Sequence, residues 1–153
     1  MTTSLIVSAV IALATITGTD GRDRLNGTPQ ADRIVAGAKD DRVNARGGAD
    51  VIDGGTGDDV VSAGPGNDRV YGRSGKDVLS GGPGADRIAG ASGGDRITGG
   101  PGVDVISGGK DSDTILARDD MGDRISCGTG KDDRVVADWA DAVAGDCERV
   151  ERP

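Results

Sequence analysis

Histidine and phenylalanine are absent from this 153-residue chain, and it has one Trp, one Tyr, two Cys and five Pro. Without imidazole, the commonest general base and zinc ligand is missing. Large aromatics, which usually carry a globular core, are nearly absent. Cationic side chains are in the minority: 18 Lys and Arg face 26 Asp and Glu, for a formal charge of −8. That balance disfavours nucleic acid and membrane insertion and favours cations as partners. Apolar runs are short. Leu5 to Ala14 is mostly apolar, but its ten residues cannot span a bilayer. Ala12-Leu13-Ala14 has the small-x-small form of a cleavage site, so residues 1–14 read as a secretory signal peptide. Met1-Thr2-Thr3-Ser4 carries no Lys or Arg, which leaves an apolar first strand as the alternative.

What is present in excess is glycine, 28 residues, and aspartate, since Glu148 and Glu151 are the only Glu among the acids. Such a composition belongs to a disordered chain unless the glycines are periodic. Here they are. Asp recurs every nine residues, eleven times in succession: Asp23, Asp32, Asp41, Asp50, Asp59, Asp68, Asp77, Asp86, Asp95, Asp104 and Asp113. Two residues after each comes an aliphatic side chain, from Leu25 and Ile34 through to Ile106 and Ile115. Gly dominates five, four and two residues before the Asp, as in Gly81-Gly82-Pro83-Gly84-Ala85-Asp86. A fixed period sustained this long is the mark of a repeat architecture.

Each repeat divides into a six-residue Gly-rich turn and a three-residue strand. In the strand the aliphatic side chain points inward and its neighbours, such as Arg69 and Tyr71, point out. Two repeats make one 18-residue coil, and coils stack at about 4.8 Å. The aspartates then form two ladders on opposite edges. Stacked carboxylates repel unless a cation lies between them. Carboxylates together with the carbonyls of tight turns make a hard-oxygen environment, suited to Ca²⁺ more than to Mg²⁺, which demands a strict octahedron. The core is thin, one aliphatic residue per repeat, so the ion-free chain is expected to be disordered and the ion to fold it.

The pattern G-G-x-G-x-D-x-aliphatic-x, in register from about Gly18 to Leu116, resembles that of the RTX (repeats-in-toxin) calcium-binding proteins. The resemblance implies an all-β fold, a right-handed parallel β-roll or β-helix solenoid with two repeats per coil. It also implies several structural Ca²⁺ ions held between stacked turns. Carried over, the ligands are the carboxylates of Asp50, Asp59, Asp68, Asp77, Asp86, Asp95, Asp104 and Asp113. The carbonyls around Gly54, Thr56, Gly64, Gly72, Ser74, Gly81, Pro83, Gly90, Ser92, Gly99 and Pro101 complete the set. Turns before Gly54 depart from the pattern, which makes Asp23, Asp32 and Asp41 weaker candidates. The turn ending in Asp113 has Asp111 where the third Gly belongs.

Other features have plainer readings. Gly90-Ala91-Ser92-Gly93-Gly94 has the form of a nucleophile elbow, but it lies in the repeat register and the chain has no His. Asn26-Gly27-Thr28 is a formal glycosylation sequon in a turn. Asp119-Asp120 and Asp132-Asp133 read as solvated loop. Arg24, Arg33, Arg42, Arg69, Arg87 and Arg96 read as a solvated face offsetting the carboxylates, not as an anion-binding stripe. No Thr row exists to bind ice.

After Leu116 the period slips, and residues 117–153 read as a cap over the last coil. Val135-Val136 and Cys147 to Val150 read as its strands, and Trp139 is expected to pack over the final coil. Cys127 and Cys147 have no C-x-x-C spacing and no His with which to complete a zinc site, so a disulfide is preferred. Closing that loop would stabilise by about 3 kcal/mol in the chain-entropy model. The chain as a whole reads as residues 15–116 of calcium-binding roll between leader and cap, secreted and without catalysis. The alternatives are a calcium-dependent adhesion module contacting cell-surface or matrix components, an ice-binding solenoid, and the orphan repeat region of a secreted hydrolase.

Overall fold

The computed structural model describes residues 13–153, so twelve residues of the leader reading lie outside it, and Ala14 begins the first strand. Those residues form sixteen short strands and no helix, arranged as two eight-stranded parallel sheets. The odd-numbered strands build the first sheet: β1 (Ala14–Thr17), β3 (Asp32–Ala38), β5 (Val51–Thr56), β7 (Arg69–Ser74), β9 (Arg87–Ser92), β11 (Val105–Lys110), β13 (Arg124–Gly128) and β15 (Ala142–Val143). The even-numbered strands build the second: β2 (Arg24–Asn26), β4 (Arg42–Asn44), β6 (Val60–Ser62), β8 (Val78–Ser80), β10 (Arg96–Thr98), β12 (Thr114–Leu116), β14 (Arg134–Val136) and β16 (Arg149–Glu151). The chain alternates between sheets, so each odd–even pair is one coil of a parallel β-solenoid with eight coils.

The register confirms the two-repeat coil, since Val70 pairs with Ile52 below and Ile88 above. Like residues therefore stack on like. Ile34, Ile52, Val70, Ile88, Ile106 and Ile125 form one buried file, and Val43, Val61, Leu79, Ile97, Ile115 and Val135 form the other. Between them only alanines and Cys127 join the core cluster as fully buried hydrophobics. The solenoid is thus two side chains thick.

The sheets differ in one respect from the expected six-plus-three division. In the second sheet the strands are three residues long, but in the first, β5, β7, β9 and β11 run six. Pairing continues there into the turn, as Gly55 to Gly37 and Arg73 to Ala91. These positions take a left-handed backbone, which glycine adopts freely at 37 and 55 and which Arg73 and Ala91 adopt at φ 80° and 85°.

Beyond residue 116 the same two sheets gain β13 to β16. One- and two-residue insertions are absorbed in the turns, shifting the pairing to Val105 with Arg124 and Thr114 with Arg134. Cys127 and Cys147 are joined by a disulfide with Cα atoms 5.1 Å apart, tying the terminal loop to β13. Trp139 does not cover the last coil. It is 75% exposed and stacks only against the Arg152 guanidinium, 5.5 Å from the ring centre. Its turn is closed by Asp138 N–H donating to Asp141 Oδ2 and Ala140 N–H donating to Asp138 Oδ1, which leaves the intervening side chain at the tip.

Candidate metal centre

Each repeat aspartate ends its turn and immediately precedes its strand, so its backbone is held on both sides. Its carbonyl accepts from the first strand residue one coil further on, as Asp59 O from Val78 N–H at 2.8 Å. Its own N–H donates to a carboxylate of that coil. Asp59 N–H bonds Asp77 Oδ1 at 2.8 Å, and Asp77 N–H bonds Asp95 Oδ1 at 2.8 Å. The same link runs unbroken along both edges. One ladder is Asp32, Asp50, Asp68, Asp86, Asp104, Asp123 and Asp141. The other is Asp23, Asp41, Asp59, Asp77, Asp95, Asp113, Asp133 and Glu148.

Four acids that periodicity did not single out as ladder members therefore belong to the ladders: Asp123, Asp133, Asp141 and Glu148. The signal was there in the triplet acid-x-aliphatic, at Asp123-Arg124-Ile125, Asp133-Arg134-Val135, Asp141-Ala142-Val143 and Glu148-Arg149-Val150. Asp133, read as solvated loop beside Asp132, is fully buried. Asp119 is half-buried and accepts from Gly102 and Met121 N–H. Asn26 of the sequon ends β2 and is not in a turn, and the Thr28 hydroxyl is committed to Asp32. Ser92 ends β9, with its carbonyl bonded to Gly75 N–H.

All the ladder aspartates but half-buried Asp23 are buried, and from Asp41 and Asp50 onward one oxygen of each accepts the backbone N–H just described. The second oxygen divides them. Asp41, Asp50, Asp59, Asp68, Asp77, Asp86, Asp95, Asp104, Asp113, Asp123 and Asp133 keep a buried Oδ2 with no hydrogen-bond partner. An unpaired buried charged oxygen costs several kcal/mol. The weaker candidates Asp23 and Asp32 differ, because their Oδ2 atoms accept from the N–H and hydroxyl of Thr19 and Thr28.

The orphan oxygens face turn carbonyls. At the head of the turn ending in Asp59, a methyl group added to Gly54 would meet Asp59 Oδ2 at 2.7 Å and the Gly72 carbonyl of the next coil at 2.8 Å. Carboxylate and carbonyl thus converge on the space a side chain would fill. The same convergence occurs at Gly72, Gly81, Gly90 and Gly108, towards the carbonyls of Gly90, Gly99, Gly108 and Cys127. Where the head residue is Ala36, Ala45, Ala63 or Ala117, a buried methyl group occupies that position. The carbonyls of Ser74, Pro83, Ser92 and Pro101 already accept a ladder bond at 2.9 Å, from Gly57, Gly66, Gly75 and Gly84 N–H, and keep a second lone pair.

Burial governs the electrostatics. Desolvation pushes the Asp59, Asp95 and Asp123 carboxyls up to about 7, against an ordinary 3.8. It pushes Asp50, Asp68, Asp86, Asp104 and Asp113 up to about 6. The backbone N–H opposes the rise, and neighbouring carboxylates add to it. Burial also raises Asp77 and Asp133. The repeat arginines do not relieve this. Arg24, Arg33, Arg42, Arg69, Arg87 and Arg96 stand exposed on the outer faces. The ion pairs among the described residues use Asp40, Asp53, Asp132 and Glu151 instead. Rows of buried, unpaired, hard oxygens with carbonyls alongside fit a divalent cation of the calcium type.

A parallel solenoid with such acidic turns defines a class of calcium-binding repeat protein. The family model of the RTX calcium-binding nonapeptide repeat (4 copies) matches residues 15–38, 26–61, 45–79, 53–88 and 80–115, and the chain belongs to that family. No curated protein matches the chain.

Proposed function

We propose that this protein is a secreted, non-catalytic calcium-binding roll whose middle coils fold on calcium. The observation that carries this reading is the run of buried, unpartnered Asp Oδ2 atoms. A divalent ion supplies the positive charge those oxygens lack. The first turns to fill are those that join an orphan oxygen to a glycine head: Asp59, Asp77, Asp95 and Asp113 on one edge, Asp86 and Asp104 on the other. Asp50 and Asp68 follow, since Ala45 and Ala63 crowd their turn heads. Residues 117–153 act as the cap. Secretion is supported by the disulfide, which persists in oxidising compartments. No helix among the described residues is long and apolar enough to cross a membrane. A calcium-dependent surface-interaction role is the second reading, favoured by the arginine rows on the outer faces.

Circular dichroism and calorimetric calcium titration test the proposal. Calcium should produce a cooperative gain of β signal with several ions bound, and excess chelator should abolish it. An equal β signal in chelator, or no heat of binding, defeats it.

A further inference from the structure

The interior and exterior of this solenoid carry opposite charge. Fourteen of the 26 acids are buried aspartates, and no Lys or Arg is among the buried residues. Neutralising the eleven buried aspartates whose second oxygen is unpartnered turns the formal −8 into +3. Once the interior carboxylates are neutralised, the folded particle presents a basic surface.

The cations are ordered. On the first sheet, register places Arg33, Val51, Arg69, Arg87, Val105 and Arg124 in one row along the solenoid axis. None of these four arginines forms an ion pair among the described residues. The parallel row reads Asp53, Tyr71, Ala89, Ser107 and Ser126. Beside the arginines this low row leaves two hollows, one of about 200 Å³ at Tyr71, Arg87 and Ala89, the other of about 450 Å³ at Arg124 and Ser126. Both are lined by Val105 and Ser107, so they join into one groove running across the strands. The acids at its ends are already partnered. Asp53 is clamped by Arg73, which lies over the Tyr71 ring at 5.2 Å, and Asp146 accepts from the Ser126 hydroxyl and from Cys127 and Gly128 N–H.

We propose that this groove binds a linear acidic polysaccharide, with Arg87 and Arg124, which line it, and Arg69, the next cation in the row, meeting its carboxylates. The inference rests on the calcium reading, because only the folded, ion-neutralised chain displays the groove. Charge complementarity selects a polyanion. Along the axis Arg87 follows Arg69 by one strand step of about 4.8 Å and Arg124 follows Arg87 by two, so cations recur at short intervals, as a linear polymer requires. Tyr71 and Ser107 offer a ring edge and a hydroxyl to sugar hydroxyls. Duplex DNA is read by an element that inserts into its groove, and no helix among the described residues projects from this face to do so. Single strands need successive aromatic platforms, and Tyr71 stands alone here.

Fluorescence anisotropy with labelled hyaluronate oligomers tests it, with circular dichroism on the same samples. Binding is expected in calcium, weakening with salt and vanishing in chelator. The double variant Arg69→Gln/Arg87→Gln should lose about tenfold in affinity with unchanged dichroism. The Lys pair should retain part of it. Arg24→Gln/Arg42→Gln on the second sheet should have less effect, and an equal loss there overturns the groove. Tighter binding of single-stranded DNA or of phosphatidylserine vesicles overturns the polysaccharide assignment. A chain that folds in calcium and binds no hyaluronate overturns this proposal alone, whereas a chain that does not fold in calcium overturns both.

Discussion

The ends of the solenoid and its middle solve the same electrostatic problem differently. At the start, Asp23 and Asp32 have their second oxygens satisfied by Thr19 and Thr28. At the finish, Asp141 accepts from Asp123 and Asp138 N–H, and Asp138 accepts from Asp120 and Ala140 N–H. Between them, coil after coil leaves Oδ2 bare. A threonine after the head glycine makes an acidic turn self-sufficient, whereas a second glycine leaves room and a debt of positive charge. Terminal repeats of a solenoid have one neighbour fewer and must hold without cooperative help. Self-satisfied turns at the ends and ion-dependent turns in the middle fit that requirement.

The sharpest way to break this contrast is to remove one charge in each region. Asp77→Asn should change sign with calcium. In calcium it removes the charged ligand at the turn headed by Gly72 and should cost roughly 3 kcal/mol. In chelator it removes an unpaired buried charge, and should stabilise by about 1–2 kcal/mol. Asp32→Asn should cost about 1 kcal/mol in both conditions, since it disturbs only the bonds to Thr28. Calcium midpoints by dichroism, and sucrose-assisted folding in chelator, read the two cases. Equal behaviour at both positions would erase the distinction between end and middle.

Protons should separate the regions next. The middle carboxyls titrate near 6 to 7 in the fold and near 3.8 when exposed. A raised folded value means the protonated form favours the fold. The metal-free stability from this source is full below about pH 4 and is lost as pH rises through 6 to 7. In chelator, acidification from neutral should therefore restore β signal. With calcium the sign reverses, because protons displace the ion, and calcium affinity should climb over the same window. A flat pH profile in chelator would show that the buried carboxylates are not the source of instability.

Much of this architecture was legible in the residues alone. The period of nine with an aliphatic two places after each Asp specifies strands, inward files and the two ladders, because parallel stacking puts like on like. The disulfide was legible too, from two Cys without a plausible metal site. The extension of the ladders past Asp113 was hidden because insertions shift the spacing, although the acid-x-aliphatic triplet survives at Asp123, Asp133 and Asp141. The partition of orphan from satisfied oxygens was not legible, since it depends on which way Thr19 and Thr28 turn their hydroxyls. The outward direction of the arginines was legible from the pleat, but charge counting suggested that they offset the aspartates, and among the described residues none of them pairs with a ladder carboxylate.

The C-terminal end holds by a covalent tie as well as by hydrogen bonds. Cys127 is fully buried at the head of its turn, and its carbonyl faces the same space as Asp113 Oδ2. Replacing Cys127 and Cys147 together by Ala should lower stability by about 3 kcal/mol in calcium-loaded thermal melts. Hydrogen exchange should show the loss concentrated in β13 to β16. Protection lost evenly along the chain would mean that the end is not a separate cap.

The smallest expected effect lies in the middle and concerns backbone alone. The second turn position adopts a left-handed conformation, natural for Gly55 at φ 99° and Gly82 at φ 108°. Ala91 occupies the equivalent place at φ 85°. Its methyl group costs about 1 kcal/mol in that region and serves no ligand, since the Asp95 carboxylate meets Gly90 and not Ala91. Ala91→Gly should raise the calcium-loaded melting temperature by an amount corresponding to roughly 0.5–1 kcal/mol, offset in part by the greater freedom of glycine in the unfolded chain. It should leave the number of bound ions unchanged. A change in ion stoichiometry would mean that this position shapes the site itself, and that the middle coils depend on more than a glycine head and a bare oxygen.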